Sequence, residues 1–311
     1  MITGIDEVGN FGLGSTDLNY FVGVHIDQNQ GRLGIKHSQF RLWEDVVPVK
    51  HRDNGEVKGR LLSDELLMTF HEQVLASEPQ VLVSAVGTIP NQNTKEAVTK
   101  HVGKEIDALV RVQQHHNEQG NPSARTYHRM LVWYKNLAGR PDMFLKLKCL
   151  EELMRISIPY VFGYAQLQCI LDGGDERNLE HLAFKIDKDY IRARDPMIYW
   201  REHLRQSLMY TRGPLEVPML PFWTRKEAPL HRHYPLIGGQ GVDLRSLFID
   251  RLAFFESKDH WEVRMADIFA TILHRIRNRG KLRALETDID ERLTESKCNI
   301  KHIIFSEGQS G

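Results

Sequence analysis

Three sets of acidic residues stand beside apolar runs: Asp6 and Glu7 directly after Ile5, Asp172 and Asp175 around the glycine pair of CILDGGDE, and Asp267 within VRMADIFAT. A carboxylate at the edge of an apolar element is costly unless it is paired, hydrated or bound to a cation. Asp267 is bracketed by Met265, Ala266, Ile268 and Phe269, close to the buried face of an amphipathic pattern. Each acid also has a structural reading, with Asp6 capping a turn, Asp172 or Asp175 starting a helix, and Asp267 pairing with a nearby arginine. Gathered at one end of a sheet, however, carboxylates from separate elements form the oxygen-rich set that Mg2+ or Mn2+ prefers. Two such ions about 4 Å apart activate water and stabilise the leaving oxygen in phosphodiester cleavage.

The elements that must position these acids follow from periodicity. Residues 2–6 and LNYFVGVHI (18–26) read as two strands of a β-hairpin joined by the glycine-rich NFGLGST. FRLWEDVVPV (40–49) is a weaker strand candidate, and HRDNGEVKGR reads as an exposed loop. Ser63 is placed to cap a helix whose apolar face carries Leu66, Leu67, Phe70 and Val74, and VLVSAVGTI (81–89) is a buried strand. Strand, helix and strand in that order predict an α/β domain.

From residue 93 to 159 the pattern becomes helical, predicting a helical insertion or cap over 92–160 within a single domain spanning 1–311. YAQLQCILDGGDE (164–176) reads as a return to strand, ending at Asp172. Residues 177–212 read as largely helical, 249–257 as a core strand, 261–279 as an amphipathic helix with Val263, Ile268, Ile272 and Ile276 inward, and 299–305 as a short strand or docking tail.

IDEVGNFG followed by NYFVGVHI resembles the opening of domain-of-unknown-function family 3800, whose members begin with an aspartate-glutamate-serine-glycine strand end; Val8 stands where that pattern has serine. FFESKDHWEVRMADIFATIL resembles the family's closing signature, with Ser257 and Lys258 as its serine-lysine pair and Ala266 and Asp267 as its alanine-aspartate, and CILDGGDE resembles the strand-ending acid between them. The family is similar to ribonuclease H-like nucleases in fold. The resemblance implies a ribonuclease H-like mixed sheet flanked by helices and metal-dependent cleavage of RNA or DNA. It implies Asp6, Asp172 and Asp267 as ligands of Mg2+ or Mn2+, with Asp6 bridging two ions. Glu7 is the next candidate, and Asp175 a substitute for Asp172. The resemblance also implies a mobile-element or bacterial-defence context. The competing expectations are a non-catalytic binding or assembly subunit, using the helical insertion as its protein-partner surface, and a nucleotide phosphohydrolase.

Auxiliary candidates are His274, which shares a helix face with Asp267 and Thr271, and Lys258, whose compact charge suits a phosphate. Tyr127, His128 and Arg129, and Arg192, Arg194, Arg201, Arg205 and Arg212 around Tyr199 and Trp200, combine charge with rings suited to nucleic acid or to packing. HRHY (231–234) reads as a loop, since its two histidines lack further zinc-type ligands nearby.

Lysine plus arginine equals aspartate plus glutamate at 41 each, so overall charge gives no support for non-specific nucleic-acid binding. Cys149, Cys169 and Cys298 show no CxxC pairing, which leaves packing as their role. No GxxxxGK[ST] loop occurs, GGQG (238–241) lacks the context of a dinucleotide fingerprint, and Ser157 and Ser246 have no nucleophile-elbow setting. Without a long apolar window, and with Asp6 and Glu7 interrupting the first apolar run, the expectation is a cytoplasmic protein with no membrane contact.

Overall fold

The computed structural model describes residues 1–14, 16–28, 31–79, 81–88, 93–120, 124–171, 182–187, 216–218, 241–243, 251–295 and 301–303. β1 (Ile2–Val8) and β2 (Asn19–Ile26) form the expected antiparallel hairpin, with Ile2 opposite Ile26 and Val8 opposite Tyr20. All of β2 is buried, because helices cover both of its faces; that is why it reads as a nearly continuous apolar run.

α1 (Arg32–Val46) occupies the segment expected to contain a strand over 40–49. Burial along this segment follows a helical period. Phe40, Trp43, Glu44 and Val47 are buried at helical spacing while Leu42 and Val46 face solvent, which a two-residue period cannot produce. The loop expected at 51–60 contains a small hairpin, β3 (Arg52–Asp53) and β4 (Glu56–Val57), turning at Asn54 and Gly55. Both turn residues have positive φ, the backbone that makes Asn-Gly the preferred two-residue connection. α2 (Asp64–Phe70) starts as expected at Ser63, whose Oγ accepts the Leu66 N–H at 3.3 Å.

β5 (Leu82–Thr88) lies antiparallel to β2. α3 (Lys95–Glu118), α4 (Ala124–Ala138) and α5 (Pro141–Leu171) follow. α5 overturns the strand expected over 164–176: the helix runs on to Leu171, with Leu150, Leu153, Met154, Ile158, Val161, Phe162 and Ala165 buried at three- and four-residue steps. An apolar run continuous with a buried helix face is indistinguishable from a buried strand until its length is known. Asp172 and Asp175 lie outside the described residues, as do the basic-aromatic positions 192–212, HRHY and the first three residues of GGQG.

Within 177–212, expected to be largely helical, Ala183–Asp187 instead form the strand β6, parallel to β1. β7 (Glu216–Pro218) and β8 (Gly241–Asp243) pair separately. β9 (Leu252–Phe255) joins β6 in parallel. α6 (Trp261–Arg279) matches its expected span, α7 (Glu286–Glu295) follows, and β10 (Lys301–Ile303) adds to β5. The main sheet is mixed, in the order β10-β5-β2-β1-β6-β9.

Two cores flank it. On one face Ile5, Phe21, Val86, Phe184 and Ile186 pack under α5, with Trp133 and Tyr134 of α4 and Val98 and Val102 of α3 behind. On the other, Val22 and Val24 meet Ile268 and Ile272 of α6, Phe40 and Trp43 of α1, and Ile289 of α7. Each such fully buried side chain contributes about 1.5–3 kcal/mol. Gly4 permits the closest approach: a Cβ there would lie 2.0 Å from the backbone oxygen of Glu262, so only glycine lets the start of α6 rest on β1. Among the described residues no helix is long and apolar enough to cross a membrane.

Candidate active site at the ends of β1 and β6

β1 and β6 run side by side, with Ile5 paired to Ile186. The next residue of each is an aspartate, so Asp6, two residues before the end of β1, and Asp187, the last residue of β6, stand on adjacent strands, which are spaced about 4.8 Å apart. Alternation decides where they point. Ile5 and Ile186 enter the core under α5. Gly4 meets α6, and Lys185 ion-pairs with Glu262 of that helix at 3.0 Å. Asp6 and Asp187 therefore share the α6 side of the sheet, and they are only 7% and 5% exposed.

Asp267 approaches from α6, where its Oδ2 accepts the backbone N–H of Gly59 at 2.8 Å. Burial pushes the Asp267 carboxyl up to about 6; Gly59 and Lys58 oppose this, whereas Glu56 and Asp187 add to it. Asp6 is held well above the usual carboxylate range by burial, then by the charges of Asp267 and Asp187. The Glu7 N–H, donated to Asp6 Oδ1 at 2.7 Å, offsets only part of this. Three aspartates from a hairpin strand, a crossover strand and a helix thus share one electrostatic field.

Glu7 points to the opposite face, as alternation requires. There Lys146 of α5 donates to its Oε1 at 2.5 Å and also lies over the Phe11 ring, 5.7 Å from the centroid. Burial nevertheless pushes Glu7 up to about 8, opposed by Lys146 and aided by the Asp187 charge, and Glu7 Oε2 is buried without a hydrogen-bond partner among the described residues.

Lys58 belongs to the segment read as an exposed loop. Its Nζ donates to Ser257 Oγ at 2.9 Å and ion-pairs with Glu56 at 2.8 Å. Burial opposes its charge, but Glu56, Asp267 and Asp187 outweigh that and raise its pKa. Ser257 is in turn held by Arg264, which donates to the Ser257 and Lys258 carbonyls at 3.2 and 2.8 Å while its Nε and Nη2 grip Glu44 at 3.0 and 3.1 Å.

The auxiliary candidates lie elsewhere. Lys258 is exposed and pairs with Glu256 at 2.6 Å. His274 accepts from Asn278 at 2.7 Å, and Asn278 is bonded to both backbone groups of Leu18. Burial lowers the His274 pKa, and its charged neighbours are Asp17, Arg279 and Arg275 rather than the aspartates. Thr271 donates to the Asp267 carbonyl at 3.0 Å, an intrahelical bond. Tyr127 is buried and stacked with His116 at 4.8 Å, and His128 bonds Gln113 at 3.1 Å, so both serve α3–α4 packing.

Sequence reasoning missed Asp187, Lys58 and Lys146. The alternation of Phe184 and Ile186 with Lys185 and Asp187 is the strand signal that identifies Asp187, and the Asn54-Gly55 turn places Lys58 beyond a hairpin. No local signal marks Lys146. Among the described residues, no three His, Cys, Asp or Glu side chains converge as a ready metal-binding group. No protein-family model, curated protein or solved structure matches the chain.

Proposed function

We propose that the protein is a metal-dependent phosphodiesterase of ribonuclease H-like architecture that cleaves RNA or DNA, with Asp6, Asp187 and Asp267 as its acidic centre. The carrying observation is that the neighbouring strands β1 and β6 turn Asp6 and Asp187 towards the helix that bears Asp267. A mixed sheet with an antiparallel hairpin on one side of β1 and parallel strands on the other accords with this architecture.

The donor set fits Mg2+ or Mn2+ by its chemistry: these are carboxylate oxygens, whose mutual repulsion and burial raise their affinity for positive charge. Asp6, Asp187 and Asp267 would hold the metal, with Asp187 in the role the family resemblance implied for Asp172. When bound, the metal supplies activation of water and stabilisation of the leaving oxygen. The protein's own residues supply the rest. Gly59 orients Asp267 through its N–H, and Lys58 balances part of the negative charge beside Asp267 and Asp187.

The test is cleavage of labelled single-stranded, double-stranded and hybrid substrates with Mg2+ or Mn2+, comparing wild type with Asp6→Asn and Asp187→Asn. Full cleavage by either variant would sink the assignment. A second reading is a non-catalytic binding subunit whose partner surface is the α3–α5 layer. Calorimetry showing no metal binding, together with a stable protein complex, would select it.

A further inference from the structure

Two lysines flank the acidic centre from opposite faces of the sheet. Lys58 lies on the α6 side, bonded to Ser257, and its neighbour Gly59 donates to Asp267. Lys146 lies on the α5 side, bonded to Glu7, the residue immediately after Asp6. The separation follows from β1 itself, since Gly4 abuts α6 whereas Ile5 lies under α5. Both stems are largely covered and both side chains keep an opening, 18% and 22% exposed. Each ammonium is paired with a glutamate, Glu56 or Glu7, outside the aspartate set. Their positions are anchored, by Ser257 on one flank and by the Phe11 ring on the other.

An acidic centre repels an approaching phosphate, so a phosphate-bearing substrate needs cations beside the carboxylates. One lysine would serve a single phosphate. Cations on both sides of the strand ends suit successive phosphates of a chain, each met by a compact ammonium charge. We propose that Lys58 and Lys146 are paired phosphate-contacting residues, so that the substrate is an oligonucleotide crossing the end of the sheet rather than a mononucleotide. This rests on the phosphodiesterase reading and names the side chains that would meet the backbone of its substrate. It also gives the helical layer a part in the site, since Lys146 comes from α5.

The experiment is fluorescence anisotropy of a labelled single-stranded octanucleotide, with Ca2+ present, across a salt series. Wild type is compared with Lys58→Met, Lys58→Arg, Lys146→Met and Lys146→Arg, with thermal melts to check folding. Each methionine variant should bind about 3- to 10-fold more weakly and lose about one from the salt-dependence slope, while arginine restores both. Lys58→Gln replaces the methionine variant if the latter does not fold. A mononucleotide competitor should respond to at most one of the lysines. Unchanged slopes in folded Lys58 and Lys146 variants overturn the proposal, as does a mononucleotide whose binding drops equally in both. If the wild type cleaves and Asp6→Asn does not, unchanged slopes refute the lysine roles alone. Absence of both oligonucleotide binding and cleavage in the wild type refutes the phosphodiesterase reading with them.

Discussion

Asp267 accepts the backbone N–H of Gly59 at 2.8 Å, tying a carboxylate of α6 to the segment that carries Lys58. The contact depends on glycine: a Cβ on residue 59 would fall 2.3 Å from Thr271 Oγ1 and 2.8 Å from the Asp267 carbonyl. Gly59→Ala must push the segment off the helix. We expect a loss of about 1–3 kcal/mol in urea unfolding, the usual cost of overpacking, with a larger fractional loss of cleavage because Lys58 moves too. Wild-type stability in this variant would refute the packing.

Asp187 ends β6 beside Asp6 on the α6 side of the sheet. Asp187→Asn should lower metal-dependent cleavage by at least about 100-fold, the upper end of what even outer-shell metal-site changes cost, without lowering the melting temperature. A steady-state assay over a Mg2+ titration checks it. Retained activity would return the third ligand to the segment containing Asp172.

The acidic centre should contribute less stability to the metal-free protein at neutral than at mildly acidic pH. Burial raises Asp267 to about 6 in the folded state, and its unfolded value is about 3.9. Its favourable contribution is therefore complete below about pH 4 and is lost as pH rises through 6; Glu7, raised to about 8, extends the loss further. Asp267→Asn should then stabilise the metal-free protein at pH 7.5 by about 1–3 kcal/mol, read by urea unfolding in EDTA. A destabilised variant under those conditions would contradict the electrostatic account.

His25 produces the opposite trend. Its ring is buried in a polar chain, with Thr3 at 2.9 Å on Nδ1, Ser84 at 2.9 Å on Nε2 and Ser157 2.8 Å beyond Ser84. Burial lowers its pKa to about 3, against about 6.5 when unfolded. As pH falls below 6.5 the unfolded chain takes up a proton that the folded one refuses, costing about 1.4 kcal/mol per pH unit. His25→Leu should be destabilising at pH 7.5, through the lost hydrogen bonds to the Thr3 and Ser84 hydroxyls, and nearer to wild type at pH 5. An equal stability difference at the two pH values would show that the histidine is charged in the fold.

Several features were legible without coordinates because their causes are local. Alternation produces the β1–β2 hairpin, Ser63 caps α2, and the apolar stripe of Val263, Ile268, Ile272 and Ile276 defines α6. Asp6 and Asp267 could be singled out for the same reason, since an acid beside apolar neighbours is a conflict visible in the chain itself. Where a segment is apolar on every side, local pattern is silent: the run ending at Leu171 suits either a strand or a helix, and only packing under β2 and β5 made it α5.

The composition of the site is a long-range matter. Asp187 is named by the register between β1 and β6, Glu7 and Asp6 are sent to opposite faces by the pleat, and Lys58 and Lys146 reach them from segments far away in sequence. The chain by itself determined that buried acids need positive charge; the tertiary structure alone decided which acids share it and which lysines stand beside them, because Coulombic partners are set by distance in space rather than separation along the sequence.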